Sequence, residues 1–328
     1  METLNDVFDI MKIYSSSFLL VLIVIALAQA QQAPSPTPGA AASRRPQSPA
    51  TVQSGEEVGE GEVVRIKASL VSVPVSVIDR QGKYVVDLQQ KDFRIYEDGE
   101  EQLITHFSNI DQRFSVVLLM DTSGSTASFL EQMKGAAKSF VEQLRPADTV
   151  QPVYFHGEIK PLTPKSTNDP NLLSAAIDQM NSGPLNMGTR LYDAVDFALS
   201  ALRPVSGRKA VILFTDGENT WGKATMKSTL HDAEESDVVI YTLQYGDPPA
   251  QKYLQQLAEK TGGRYFMAAD GNTIRRSFAQ VAEELRRQYV LGYQPNELAP
   301  RGQERKIRVK VDRQRVAVRA RKSYTYHP

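Results

Sequence analysis

An unbroken apolar run, Val116-Val117-Leu118-Leu119-Met120, ends in the polar stretch Asp121-Thr122-Ser123-Gly124-Ser125. A short apolar run without alternation marks a strand buried on both faces. Such a strand needs a packed layer above it and another below. The residues after Ser125 supply one candidate layer. Phe129, Leu130, Met133, Ala137, Phe140, Val141 and Leu144 fall on one face of a helix. The order strand, polar loop, helix places the loop at the carboxyl end of the strand, where open parallel sheets bind ligands.

Asp121, Ser123 and Ser125 put one carboxylate and two hydroxyls on alternate residues with only small residues between. All are hard oxygen donors. They suit a hard divalent cation such as Mg²⁺, which takes about six oxygens at roughly 2.0–2.1 Å. One carboxylate does not complete that shell, so other loops must contribute. Ala210 to Phe214 form a second buried run that ends in Thr215-Asp216-Gly217, and Thr189 lies just before another helical pattern. The competing reading is capping: Asp and Ser after a strand commonly satisfy free backbone N–H groups at a helix start.

These three stretches, in this order, resemble the von Willebrand factor type A domain and its metal-ion-dependent adhesion site. The resemblance covers roughly residues 113–288, and the chain departs from the pattern at none of five ligand positions. It implies Asp121, Ser123, Ser125, Thr189 and Asp216 as metal ligands, Mg²⁺ as the cation with Mn²⁺ or Ca²⁺ as alternatives, and metal-dependent protein recognition without turnover. A partner's acidic side chain would complete the shell. Glu218, Trp221 and Met187 are expected on the partner-binding rim, with a buried packing role as the alternative for Trp221 and Met187. The flanking stretches Asp92–Gly99 and Tyr289–Tyr293 resemble a bacterial subfamily of exported proteins.

Strands alternating with helices from Arg113 to Gln288 predict an α/β, doubly wound, mainly parallel sheet with helices on both faces. Strands are expected near 114–120, 149–156, 209–215, 238–244 and 264–268. Helices are expected near 127–144, 171–180, 190–202, 224–235, 250–261 and 272–287. The strands ending at Asp121 and Asp216 should be neighbours where the winding direction reverses, which opens a crevice at their carboxyl ends. Asp121 should then point into that crevice and not into the core.

The flanks have β character. In the unit 62–110, valines alternate from Val71 to Val77, Pro74 suggests an edge strand or a bulge, and Asp98-Gly99 marks a hairpin. In the segment 289–328, Ile307, Val309 and Val311 alternate with charged residues and Val316 and Val318 follow, which predicts a second hairpin. The two units together should build a small β-sandwich. The charges between Arg301 and Lys322 read as its solvated face, with anionic polymer or lipid as the other use.

Upstream, Phe18 to Ala28 is an apolar core followed by Ala28-Gln29-Ala30, with Lys12 before it. This predicts a signal peptide over 1–30 and a secreted or periplasmic protein, with an uncleaved membrane anchor as the alternative. Met11-Lys12 looks the more natural start. Residues 31–61, rich in Pro, Ala, Ser and Gln, read as a disordered linker.

Composition closes several routes. A formal net charge of zero argues against binding nucleic acid through phosphate charge. The absence of cysteine removes disulfides, thiolate metal sites and a cysteine nucleophile. There is no Gly-x-Ser-x-Gly and no complete Gly-x-x-x-x-Gly-Lys-Ser/Thr, since Ala224 follows Gly222-Lys223. Of the four histidines, only His156 falls near a crevice loop. No enzymatic activity, catalytic residue or small-molecule substrate is therefore expected. A structural scaffold in an envelope complex, with a cation that merely fixes loops, is the second reading; a hydrolase is the third.

Overall fold

The computed structural model describes residues 70–108, 113–184, 187–246, 249, 251–296 and 299–326. The expected signal peptide and linker lie outside the described residues. Among those described, no helix is long and apolar enough to cross a membrane.

The chain opens with β1 (Val71–Asp79), β2 (Phe93–Glu97), β3 (Glu100–Gln102) and β4 (Ile104–Ser108). The α/β part follows: β5 (Phe114–Asp121), a 3-10 turn (Gly124–Phe129), α1 (Leu130–Val141), β6 (Thr149–Phe155), β7 (Ile159–Pro161), α2 (Pro170–Asp178), α3 (Leu191–Leu202), β8 (Arg208–Thr215), α4 (Met226–Glu235), β9 (Val238–Tyr245), α5 (Lys252–Thr261), β10 (Tyr265–Ala268) and α6 (Gly271–Arg287). Four strands end the chain: β11 (Tyr289–Tyr293), β12 (Glu304–Val311), β13 (Val316–Ala320) and β14 (Ser323–Thr325).

The central sheet has the order β10-β9-β8-β5-β6-β7, parallel except for β7. Successive side chains of a strand face opposite sides, and β5 buries both. Val116, Leu118 and Met120 pack against α1, α2 and α6, through Met133, Leu173, Ile177 and Phe278 among others. Val117 and Leu119 pack against α3, α4 and α5, through Val195, Leu230 and Leu257. This is the doubly wound α/β fold that the apolar runs predict. The short β7 is absent from the sequence reading: Ile159-Lys160-Pro161 is too short to show a period. The helix expected over 127–144 instead begins as a 3-10 turn and becomes α-helical only at Leu130.

Winding starts at β5, runs outward to β7, then returns to β8 on the other side of β5 and runs out to β10. The reversal falls between β5 and β8, whose residues Met120 and Phe214 are paired. Asp121 and Asp216 therefore leave the sheet side by side.

The flanking strands form two four-stranded sheets, β13-β1-β11-β4 and β14-β12-β2-β3, around a common apolar core. Each sheet takes strands from both chain ends. Asp98 and Gly99 turn β2 into β3 with φ of 49° and 99°, the left-handed pair that a two-residue hairpin requires.

Two expectations are corrected here. The C-terminal hairpin does not form: β12 joins β2 while β13 joins β1 in the opposite sheet. Both strands alternate because both face the same core, and alternation fixes the buried face without naming the hydrogen-bonded neighbour. Pro74 lies in an inner strand, not at an edge or bulge. It is tolerated because β1 pairs with β11 over Val71–Val75 and with β13 over Val75–Asp79, so at Pro74 only one side is laddered.

The two parts are joined through α6. Glu284, fully buried, accepts from Ser76 Oγ at 3.1 Å and from Tyr84 Oη at 3.1 Å, and pairs with Arg319 at 2.8 Å.

Candidate metal centre

The loop after β5 is held by its own hydrogen bonds. Asp121 Oδ1 accepts from Ser123 N at 2.9 Å. Thr126 Oγ1 donates to the carbonyls of Asp121 at 3.0 Å and Ser123 at 2.8 Å. Thr122 N donates to Phe155 O at 2.8 Å, which ties the loop to the end of β6. Local side-chain-to-backbone bonds of this kind are what Asp, Ser and Thr offer a chain leaving a strand; they order the loop, while Ser123, the N-cap of the 3-10 turn, makes no side-chain cap bond.

Capping does not account for the rest. Asp121 Oδ2 accepts from Thr215 Oγ1 at 2.6 Å, across the β5–β8 pair. Ser125 Oγ donates to Asp216 Oδ2 at 2.5 Å and lies 3.2 Å from Ser123 Oγ. Four of the five residues singled out in the sequence thus converge: Asp121, Ser123, Ser125 and Asp216. Thr189, the fifth, sits on the neighbouring loop. Its carbonyl accepts from Thr220 N at 3.0 Å and Trp221 N at 3.1 Å, and its N–H donates to Thr220 Oγ1 at 2.8 Å. The middle loop is therefore fastened to the loop that carries Asp216.

Burial is graded. Asp121 is fully buried, Ser123 is 3% exposed, Asp216 is half-buried and Ser125 is exposed. Asp121, expected to point into the crevice and not into the core, is fully buried, with its carboxylate bonded to Ser123 N and Thr215 Oγ1. Burial first raises the Asp121 pKa, the Thr215 bond opposes this, and the nearby Asp216 raises it further, to about 7. Neither carboxylate is ion-paired among the described residues. A set of hard oxygens with two carboxyl groups and no counter-charge fits a hard divalent cation.

The rim residues fall at the mouth. Trp221 is 58% exposed, Glu218 is exposed and Met187 is half-buried. A Cβ added at Gly157 would meet Met187 Cβ at 3.3 Å and Trp221 Cζ3 at 3.5 Å, so these side chains crowd one small residue. His156 does not serve the serines. Its ring stacks near Tyr154, with centroids 5.8 Å apart, and its Nδ1 accepts from Glu158 N.

Three supporting residues escaped the sequence reading. Thr215 is the donor to Asp121. Tyr245 lies buried beside the site, its hydroxyl pKa pushed well up by burial and then by Asp121 and Asp216, so it is a neutral phenol at working pH. Asp193, on α3, accepts from Ala224 N at 2.7 Å, Lys223 N at 3.0 Å and Arg190 Nε at 2.8 Å. It clamps the loop that carries Trp221. Burial would raise its pKa, but the Ala224, Arg190 and Lys223 bonds prevail and hold it below the usual range. Only Thr215 left a sequence signal, as the residue adjoining Asp216.

Fold and site together define a von Willebrand factor type A-type module with a crevice at its topological switch. The profile of the von Willebrand factor type A domain matches residues 115–280, and the chain belongs to that family. A von Willebrand factor type A structure from Catenulispora acidiphila is 12% identical, with a TM-score of 0.50, over 80% of this chain and 75% of that one. BatB, a conserved hypothetical protein from Bacteroides thetaiotaomicron, is 21% identical with a TM-score of 0.45, over 52% of this chain and 98% of that one. Proximal thread matrix protein 1 from the mussel byssus, with a zinc-occupied MIDAS motif, is 18% identical with a TM-score of 0.47, over 56% of this chain and 47% of that one. A search of the curated proteins finds no match.

Proposed function

We propose that this protein is an exported, metal-dependent protein-binding module and not an enzyme. The observation that carries the reading is the meeting of Asp121 and Asp216, without an ion pair, at the β5–β8 switch, with Ser125 bridging to Asp216. Asp121, Ser123, Ser125, Thr189 and Asp216 would hold the cation, with Mg²⁺ favoured by the all-oxygen set. When bound, the cation supplies an open coordination position with residual positive charge. Asp121 would supply a negative oxygen, and the serine hydroxyls would add neutral oxygens that leave most of the charge uncancelled. Trp221, Met187 and Glu218 offer a partner a contact rim beside that position, and an exposed aromatic near a site is a common anchor. The apolar segment before Ala30 supports export to the periplasm or the medium.

Calorimetric titration with Mg²⁺, Mn²⁺ and Ca²⁺, followed by a pull-down from an envelope fraction with Mg²⁺ and with chelator, tests the reading. Saturable cation binding and chelator-sensitive partner capture are expected. If none of the three ions binds, the metal assignment fails. If a partner is retained in chelator, the scaffold reading replaces it.

A further inference from the structure

Tyr245, the last residue of β9, is 2% exposed. Its ring stacks on Phe214 with centroids 4.7 Å apart. It also tilts against Phe129, 5.0 Å away, at the end of the 3-10 turn that holds Ser125. A phenylalanine would make the same two contacts, so packing accounts for the ring and not for the hydroxyl. That hydroxyl is buried and has no hydrogen-bond partner among the described residues. The Asp216 N–H acts on it, but outside hydrogen-bonding geometry. A buried hydroxyl left unpaired is costly, and each one in a folded protein calls for an explanation. Other buried tyrosines are matched: Tyr253 Oη donates to Thr229 Oγ1 at 3.0 Å and Tyr289 Oη to Val85 O at 3.1 Å. Tyr241 also lacks a partner, but its charged neighbours are Glu284, Arg319 and Arg208, away from the crevice.

Thr215 and Gln244 are paired across β8 and β9, which brings Asp216 and Tyr245 level at the carboxyl end of the sheet. The charges of Asp121 and Asp216 both act on the phenol. The two carboxylates are not equally supported. Asp121 Oδ1 accepts from Ser123 N and Oδ2 from Thr215 Oγ1, and neither donor atom is a proposed ligand. Asp216 Oδ1 accepts from Glu218 N at 3.1 Å. Asp216 Oδ2 accepts from Ser125 Oγ, an atom that the proposed function assigns to the cation. Carboxylates that ligate a metal are themselves held by donors outside the coordination shell. Among the described residues Asp216 Oδ2 has no such donor, and Tyr245 is an unused one at the same level of the sheet.

We propose that Tyr245 is a positioning residue of the metal centre: in the loaded site its hydroxyl donates to the Asp216 carboxylate and takes over from Ser125 as the fixed donor to that ligand. The inference rests on the metal-binding reading. Tyr245 touches neither the cation nor the partner. Phe129 and Phe214 confine its ring, so the hydroxyl is placed in advance. Because the hydroxyl makes no bond in the metal-free fold, it adds to cation affinity without adding to the stability of the metal-free protein.

Calorimetric Mg²⁺ titration of the full chain and of Tyr245→Phe, with thermal melts in chelator and near-ultraviolet difference spectra, tests this. Tyr245→Phe should bind Mg²⁺ roughly tenfold more weakly, the usual effect of losing such an outer donor. In chelator it should melt no lower than the parent, because it removes an unpaired buried hydroxyl and keeps the ring. Saturating Mg²⁺ should give a tyrosine difference signal in the parent, as the phenol passes from unbonded to bonded, and Tyr245→Phe should lose most of it. Equal Mg²⁺ affinity in the two proteins would overturn the proposal and leave the metal site standing. So would a difference signal retained in Tyr245→Phe. A lower melting temperature of Tyr245→Phe in chelator would also overturn it, by assigning the hydroxyl to the metal-free fold. If the parent binds none of Mg²⁺, Mn²⁺ and Ca²⁺, the metal reading and this inference fall together.

Discussion

Thr215 Oγ1 and Asp121 Oδ2, on adjacent parallel strands, are 2.6 Å apart, and this bond holds the carboxylate of the principal candidate ligand. Both residues are fully buried. Thr215→Val keeps the shape and removes the donor. The expected cost is about 1–2 kcal/mol of stability, the usual penalty for leaving a buried acceptor unmet, with weaker Mg²⁺ binding. Thr215→Ser should restore both. Thermal melts and calorimetry on the pair check this; equal Mg²⁺ affinity in Thr215→Val would show that the bond does not position the site.

The Asp121 pKa of about 7 makes cation binding pH-dependent. A proton and the cation compete for the same carboxylate. Mg²⁺ affinity should fall about tenfold per pH unit below pH 7 and level off above it. Stability of the metal-free protein has the opposite sign. The folded pKa of Asp121 lies above its ordinary 3.8, so its favourable contribution is complete below about pH 4 and is lost as pH rises through 7. Melts in chelator should decline from about pH 4 to about pH 7 and level off above it, and saturating Mg²⁺ should reverse the decline.

Asp121→Ala should abolish Mg²⁺ binding and partner capture while the metal-free fold survives, because the substitution removes a buried carboxyl that Asp216 repels. Ser123→Ala should be milder, since a neutral oxygen is lost and water can replace it. A collapsed metal-free fold in Asp121→Ala would assign the residue to capping; unchanged Mg²⁺ affinity would remove it from the site.

Asp193→Ala should release the Trp221 loop. Asp193 accepts from the N–H groups of Lys223 and Ala224, and charged hydrogen bonds of this kind are worth about 2 kcal/mol together with their neighbours. Hydrogen exchange at Lys223 and Ala224 should accelerate while β5 and β8 stay protected. Unaltered exchange would mean that the loop is held by other contacts.

Glu284→Ala should cost about 3 kcal/mol, because it strands Arg319 and the hydroxyls of Ser76 and Tyr84 around an empty site. Glu284→Gln should cost less, since the amide oxygen still accepts. Denaturant melts of the two variants separate the outcomes; equal stability of Glu284→Ala and the parent would leave α6 and the flanking sheets held by apolar packing alone.

The sequence by itself determined the α/β fold and its switch point. Uninterrupted runs such as Val116–Met120 and Ala210–Phe214 leave no choice but burial on both faces, and each ends in an acid. Asp98-Gly99 declared its turn because few residues accept a left-handed backbone. What only the tertiary structure decided are relations between residues far apart in the chain. Alternation in β12 and β13 marked their inner faces, yet their hydrogen-bonded neighbours come from the other end of the chain. Pro74 read as an edge because sequence carries no record of where a partner strand stops. Thr215, Asp193 and Tyr245 show the same limit. The environment of a polar side chain is set by whatever the fold packs around it, and that is fixed only when all the layers have closed.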